Sequence, residues 1–286
     1  MGGVSVIIPA YRAEATIGRA VASLLAQSWQ RWEALIVADD GADYAALLTA
    51  EGLDDSRLRF LSTGRIAAGA PAARNIALAA AVMPLIAPLD ADDLYHPHRL
   101  ETLVPLAERH GAAADNVAVV REHDGAALGT LFPPSGGVRV LDADGFLATS
   151  VPLFLMVDRR LCPPWPEDMR FSDDVVFNLR VLERTGRLPV ALAPLYEYRQ
   201  RDGSITVGDD AAERADRDYR RMLDRLDHDG LGLDDAGLRR RTAAAIQAKR
   251  ALNAAFSDAQ RAGRVTTFQE YLASCGKLCA APRPGA

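Results

Sequence analysis

Residues 85–97, Leu-Ile-Ala-Pro-Leu-Asp-Ala-Asp-Asp-Leu-Tyr-His-Pro, run from an apolar stretch into three carboxylates, Asp90, Asp92 and Asp93. Carboxylates at the end of an apolar segment are costly unless a cation, hydrogen bonds or water meet them. In extended backbone, residues i and i+2 point the same way, so Asp90 and Asp92 can face one ligand while Asp93 turns aside. A hard divalent cation with a diphosphate needs that arrangement. Other charged groups could join such a site. Asp39-Asp40 closes a second apolar run; it could cap a loop, or accept hydrogen bonds from a nucleobase and ribose. Arg74, after a Gly/Ala loop, could be surface charge or a phosphate partner. Asp173-Asp174 opens a helix, where acids suit the dipole. Placed beside a metal-bound diphosphate, one of them could serve as a general base, provided it reaches the hydroxyl it deprotonates. Arg199 and Arg201 read equally well as phosphate ligands or as a polar edge.

These groups need elements to position them. Val4–Pro9 reads as a buried strand, and Ile17, Val21, Leu24 and Leu25 form one face of a helix over 14–28. Strands follow at 32–38, 58–61 and 85–89, with helices at 43–51, 72–82 and 97–110. Strand–helix alternation with short connections predicts an α/β domain with a mainly parallel sheet. Ligands bind such sheets beyond the carboxyl ends of the strands. Tyr11, Asp39-Asp40 and Asp90–Asp93 all fall at those ends, and their convergence says more than any one motif. After residue 115 the pattern loosens, with strands predicted at 117–121, 129–132, 152–157 and 189–195, a helix from Asp173 to about Gly186, and a polar segment at 196–206. From Asp209 onward, 210–228, 234–262 and 266–278 read as charged amphipathic helices, and the 282–286 tail as frayed. A boundary between residues 206 and 207 divides the chain into a catalytic domain, 1–206, and a helical extension, 207–286.

Composition narrows the classes. At 286 residues, 49% hydrophobic and 25% charged, the chain suits a soluble globular protein with a sizeable core. A net charge of −5 gives no case for nucleic acid. Of the basic residues only Lys249 and Lys277 are lysines. Three cysteines, Cys162, Cys275 and Cys279, make a disulfide framework unexpected. His96 and His98 flank Pro97, but two ligands make no zinc site, and surface or helix-start roles are expected. The apolar run at 4–10 is too short for a signal sequence, and Ile76–Leu89, broken by two prolines, is too short to span a bilayer. A cytoplasmic location is expected, with attachment at the inner face of a membrane left open.

Taken together the blocks resemble family 2 glycosyltransferases of the nucleotide-diphospho-sugar (GT-A) type. Val4-Ser-Val-Ile-Ile-Pro-Ala-Tyr11 is similar to that family's first strand, and Glu33-Ala-Leu-Ile-Val-Ala-Asp-Asp-Gly41 to its second strand and turn. Ala73-Arg74-Asn75, Leu89-Asp-Ala-Asp-Asp93 with Pro97 and Arg99-Leu100, Asp173-Asp174, and Tyr198-Arg199 with Gly203-Ser204-Ile-Thr206 match further blocks in order. The resemblance covers residues 3–206 and implies a Rossmann-like GT-A sheet with flanking helices. It implies a nucleotide-sugar site of Pro9, Tyr11, Asp39, Asp40, Arg74, Asp90, Ala91 and Asp92, with Tyr11 and Asp40 on the base. It puts Mn²⁺ or Mg²⁺ on Asp92 with Asp90 in support, and makes Asp174, or else Asp173, the catalytic base. The implied reaction is inverting transfer from a UDP-sugar to a glycan or lipid-linked acceptor in surface polysaccharide or glycoconjugate synthesis.

Departures from the pattern are Gly41-Ala42-Asp43 where Gly-Ser-x-Asp is usual, Arg12 in place of Asn, and Arg201 in place of His. They motivate an alternative, a degenerate member that only binds a nucleotide sugar or a partner enzyme. Haloacid-dehalogenase-like phosphatases need a lysine between the two acidic blocks, and residues 93–173 hold none. A dinucleotide dehydrogenase fails on the absent G-x-G-x-x-G. The C-terminal helices could complete the acceptor site, form a homodimer or dock on a membrane.

Overall fold

The computed structural model describes residues 2–169, 172–201 and 210–279. Its first half follows from the apolar runs. Strand β1 (Val4–Ala10) lies between β2 (Trp32–Ala38) and β4 (Leu85–Pro88), with β3 (Leu58–Ser62) outside β2, all parallel. A parallel strand covered on both faces reads as a continuous apolar run, and every residue of β2 is buried. The polar exceptions pair with each other: Ser5 Oγ donates to Glu33 at 2.6 Å, and Glu33 also accepts from Arg59 and the Val82 N–H. Helices α1 (Ile17–Leu25), α2 (Tyr44–Ala50) and α3 (Ala70–Ala80) make the crossovers. Asp43 starts α2 by accepting from the Ala46 N–H at 3.0 Å. Ile17, Ala20, Val21 and Leu24 are the buried face of α1, close to the spacing in the sequence.

Beyond β4 the sheet turns mixed. The pieces are β5 (Leu94–Tyr95), α4 (Arg99–His110), β6 (Ala112–Arg121), β7 (Ala127–Thr130), β8 (Val138–Leu141), α5 (Ala143–Leu147), β9 (Met156–Asp158), α6 (Asp173–Thr185) and β10 (Leu188–Gln200). The strand order is 3-2-1-4-9-6-10-5, with β7 on β6 and β8 on β10. β9 runs antiparallel to both β4 and β6, while β6 and β10 are parallel. The parallel sheet expected from the sequence thus holds for the first four strands, and antiparallel pairs carry most of the rest.

Two segments depart from their patterns. The apolar run 152–157 forms a strand only at its end; Leu153, Phe154 and Leu155 are buried as loop. Conversely, β10 continues past the expected Leu195 to Gln200, with register shifts at Ala191/Pro194 and Pro194/Tyr196. Its polar residues sit in a strand because they face the site described below. Strand β8 was not foreseen because Val138 and Val140 lie exposed and give no burial signal.

Helices α7 (Ala211–Asp229), α8 (Ala236–Arg261) and α9 (Phe268–Ser274) complete the described chain. Met222, Leu226, Ile246 and Leu272 belong to the same buried cluster as β1 and β2. The expected boundary at 206/207, the Gly203–Thr206 part of the closing motif and the 282–286 tail lie outside the described residues. Among the described residues no helix is long and apolar enough to cross a membrane, and the three cysteines are free.

Candidate active site

A cavity of about 820 Å³ opens at the carboxyl ends of β1, β2 and β4. Pro9, Tyr11, Asp39, Arg74, Asp90, Ala91, Asp92, Asp173 and Asp174 all line it; Asp40 does not. The placement begins with the turn after β4. The Asp93 N–H donates to the Asp90 carbonyl at 3.0 Å, closing the turn. Tyr196 on β10 then pins it. Its hydroxyl accepts from the Asp90 N–H at 3.2 Å and donates to Asp93 Oδ2 at 2.8 Å. The Arg199 N–H donates to Asp93 Oδ1 at 2.8 Å. Asp93 does turn aside, into full burial, but this turn places it and not the alternation of an extended strand. Burial, with the charges of Asp92 and Asp90, pushes its carboxyl well above the usual range. It anchors the turn to β10, a larger task than starting the next turn.

Arg74 brings the two acidic blocks together. It is buried on α3, donating from Nη1 to Asp173 Oδ2 and from Nη2 to Asp90 Oδ1, both at 2.6 Å. The planar guanidinium can bridge two carboxylates this way; an ammonium cannot do so in the same geometry. Its Nε has no hydrogen-bond partner among the described residues. The next residue does separate work. Asn75 holds the backbone of Trp165 from both sides, donating to its carbonyl at 3.0 Å and accepting its N–H at 2.8 Å. Trp165 in turn stacks on Phe177 of α6 at 3.8 Å between ring centres.

Asp173 and Asp174 open α6 after Ser172, whose φ of 61° is a strained left-handed conformation. Burial first, then the Asp173 charge, pushes the Asp174 carboxyl up to about 7, against the pull of Arg74. Burial raises Asp173 as well, with Arg74 opposing. A carboxylate tuned toward neutral pH in a cavity is suited to proton transfer. Asp92 forms an ion pair with Arg201 Nε at 2.9 Å. Burial and the Asp90 charge raise its carboxyl, and Arg201 opposes them.

At the other end of the cavity, Tyr11 is 38% exposed at the lip. Asp39 and Asp40 are placed differently: Asp39 lines the cavity and Asp40 does not. Asp39 is buried and lines the cavity, with Thr63 Oγ1 at 2.8 Å and the N–H groups of Ala68 and Gly69 at 2.9 and 2.7 Å. It thereby shapes the loop that leads into α3 and Arg74. Asp40 accepts from Tyr44 Oη at 2.7 Å, from the Ala42 N–H at 3.0 Å and from the Arg12 N–H. Burial works against its charge, but these bonds hold its carboxyl below the usual range. Its oxygens hold this loop together.

The cavity's far wall was not legible in the motifs. Ala211, Ala215, Tyr219 and Met222 of α7, Ile246, Lys249, Asn253 and Phe256 of α8, and Phe268 and Gln269 of α9 line it. The one lysine of the extension among the lining residues, Lys249, donates to the Thr149 carbonyl. Burial lowers its ammonium to about 8 while the Asp174 charge opposes the fall.

The donor set fits a hard cation in part. Asp90 and Asp92 carry carboxylate oxygens of the kind such a cation takes, here paired with Arg74 and Arg201, and among the described residues no group of three or more His, Cys, Asp or Glu gathers. A Mg²⁺ or Mn²⁺ held by two carboxylates takes its other ligands from substrate phosphates and water.

Solved structures share this mixed sheet. The chain superposes on Staphylococcus aureus TarS 1–349 in complex with UDP-GlcNAc with a TM-score of 0.60 at 16% identity, over 96% of this chain and 92% of that one. Residues 5–134 match glycosyl transferase family 2. The succinoglycan biosynthesis protein ExoO of Rhizobium meliloti is 31% identical over 259 residues, 83% of this chain and 68% of ExoO. The Escherichia coli UDP-Glc:alpha-D-GlcNAc-diphosphoundecaprenol beta-1,3-glucosyltransferase WfgD is 40% identical over 103 residues, 36% of this chain and 40% of WfgD. The matched region is therefore less than half of WfgD's length. The chain belongs to glycosyl transferase family 2, with a GT-A fold.

Proposed function

We propose that this chain transfers a sugar from a UDP-linked donor to an acceptor hydroxyl with inversion, in the building of a surface polysaccharide or glycoconjugate. One observation carries the reading. Arg74 ties Asp90 to Asp173, so the carboxylates suited to a metal diphosphate and those suited to base catalysis share one cavity. The UDP-GlcNAc complex of TarS supports the nucleotide, and the names of WfgD and ExoO support the pathway class and a glycan or lipid-linked acceptor.

Tyr11 covers the nucleobase and Asp39 holds the loop beside it. Asp92 and Asp90 would hold Mn²⁺ or Mg²⁺, which when bound would supply positive charge against the departing diphosphate. Asp174 takes the proton of the acceptor hydroxyl. The freed oxygen forms a bond to the anomeric carbon from the face opposite the diphosphate. The carbon–oxygen bond to UDP breaks with its electron pair on the phosphate oxygen, so no covalent enzyme intermediate forms. Arg74 keeps the Asp173-Asp174 end of α6 at a fixed distance from the diphosphate site, which is an orientation effect.

The alternative of a degenerate binder is disfavoured by the presence of both acidic pairs, Asp90 with Asp92 and Asp173 with Asp174, in the lining of one cavity. The test is UDP release from a panel of UDP-sugars with Mn²⁺, for wild type, Asp92→Asn and Asp174→Asn. Release that requires both carboxylates supports the reading; equal rates in all three proteins overturn it.

A further inference from the structure

Arg99 opens α4 and is fully buried, and the transfer described above gives it no task. It pairs with Asp115 of β6, also buried: Nε and Nη2 both meet Asp115 Oδ1, at 3.0 and 2.8 Å. A buried ion pair is weak grounds for stability, because desolvating two charges offsets most of their attraction. This one is also incompletely met, since Arg99 Nη1 has no hydrogen-bond partner among the described residues. Its other contacts lead to the cavity. The guanidinium carbon lies 4.2 Å from the ring centre of Tyr95 and 5.1 Å from that of Tyr196, within cation–π range of both. The two hydroxyls hold the acid turn from either end. Tyr95 Oη donates to the Pro88 carbonyl at 2.7 Å, and Tyr196 Oη joins the Asp90 N–H to Asp93. Arg99 Nη2 also donates to the Phe154 carbonyl at 2.7 Å. Phe154 lines the cavity and stacks on Tyr196 at 3.7 Å between ring centres. The preceding carbonyl, of Leu153, accepts from Asn178 of α6 at 2.8 Å.

We propose that Arg99, locked by Asp115, is a positioning residue for the transfer. One flat cation faces the two tyrosines that hold the acid turn and grips the backbone of the loop at Phe154. It thereby sets the distance from Asp90 and Asp92 to the Phe154 wall and, through Asn178, to the helix that carries Asp173 and Asp174. The groups that meet the donor and the group that takes the proton are held in one register, which is an orientation effect. Only a planar side chain with several donors serves here. Lysine keeps the charge, but its ammonium cannot meet a carboxylate, a carbonyl and two rings from one plane. This rests on the transfer reading above and goes further in naming the residue that sets its geometry.

The test compares wild type, the double variant Arg99→Met/Asp115→Leu, and Arg99→Lys by two readouts. The double variant replaces the pair with apolar residues of similar volume, an exchange that is often neutral for stability. In hydrogen exchange followed by mass spectrometry, the peptide spanning residues 88–95 is expected to exchange about tenfold faster in the double variant, with the β1 and β2 peptides unchanged. In UDP release from a UDP-sugar panel with Mn²⁺, both variants are expected to lose about tenfold to hundredfold in kcat. KM is expected to stay within about threefold of wild type, because Tyr11 and the nucleobase end are untouched. Unchanged exchange at 88–95, or a kcat within about threefold of wild type in either variant, overturns the proposal. Faster exchange throughout the sheet, or failure of both variants to fold, assigns the pair to global stability and overturns it too. If wild type releases no UDP from any donor, the transfer reading fails, and the exchange of 88–95 decides the role of Arg99 by itself.

Discussion

Replacing Asp174 by Asn should make the protein more stable and catalytically inert at once. Burial and the neighbouring Asp173 charge push the Asp174 carboxyl up to about 7 in the folded protein. In the unfolded chain it titrates near 3.9. Between these values the folded state binds the proton more tightly than the unfolded state, so stability falls as pH rises through the window and is lowest above about 7. A rise of about three pH units corresponds to about 4 kcal/mol. The carboxyl faces an open cavity and shares its titration with Asp173, which brings the expected cost down to about 2 kcal/mol. Asn keeps the shape and removes the charge. Chemical denaturation of wild type and Asp174→Asn at pH 4.5 and pH 8 measures the effect. The variant should be more stable by about 1 kcal/mol at the lower pH, where the unfolded carboxyl is already mostly ionised, and by about 2 kcal/mol at the higher. A variant less stable than wild type at pH 8, or a difference that does not change with pH, would refute the reasoning.

Other substitutions separate the remaining parts. Arg74→Met should cost about 3–5 kcal/mol in denaturant unfolding, because it leaves two carboxylates in the cavity wall without their shared partner; Arg74→Lys should recover little, since an ammonium cannot bridge both. Tyr196→Phe removes the hydroxyl between the Asp90 N–H and Asp93, and should lower stability by about 1–3 kcal/mol, read as a lower denaturation midpoint with an unchanged slope. Arg201→Ala frees Asp92 from its ion pair, so Mn²⁺ binding without nucleotide, followed by the electron-paramagnetic signal of free Mn²⁺, should tighten. Weaker Mn²⁺ binding in that variant would show that Arg201 orders the site and does not compete for it.

The first half of the fold was open to sequence reading because each parallel strand is buried on both faces, as the seven buried residues of β2 show. Burial alone misled at 152–157, where Leu153–Leu155 are apolar because they line a cavity. Polarity misled at 196–200, where Tyr196 and Arg199 anchor Asp93 from within a strand. Among the acids, Asp90 and Asp92 do line one cavity and Asp93 turns away, but a turn places them and not extended alternation. Spacing could not say that Asp93 would be fully buried, since that depends on Tyr196, more than a hundred residues later. The different placement of Asp39 and Asp40 was equally hidden, because it depends on which carboxylate Tyr44 and the Ala68–Gly69 backbone reach. Lys249 and Gln269 belong to helices whose charged, amphipathic pattern gives no hint that they line the cavity.

The central claim is that Asp92 and Asp174 act in one cavity, the first on the metal diphosphate and the second on the acceptor proton. UDP release from a UDP-sugar panel with Mn²⁺, measured from pH 5 to 9 on wild type, Asp92→Asn and Asp174→Asn, tests it most directly. The account predicts a wild-type rate that falls tenfold per pH unit below about 7. It also predicts losses of about 10²–10⁴-fold in Asp174→Asn, with that pH limb abolished, and a rate in Asp92→Asn that no longer responds to Mn²⁺. A wild-type rate equal to both variants, or an acidic limb that survives in Asp174→Asn, would contradict it.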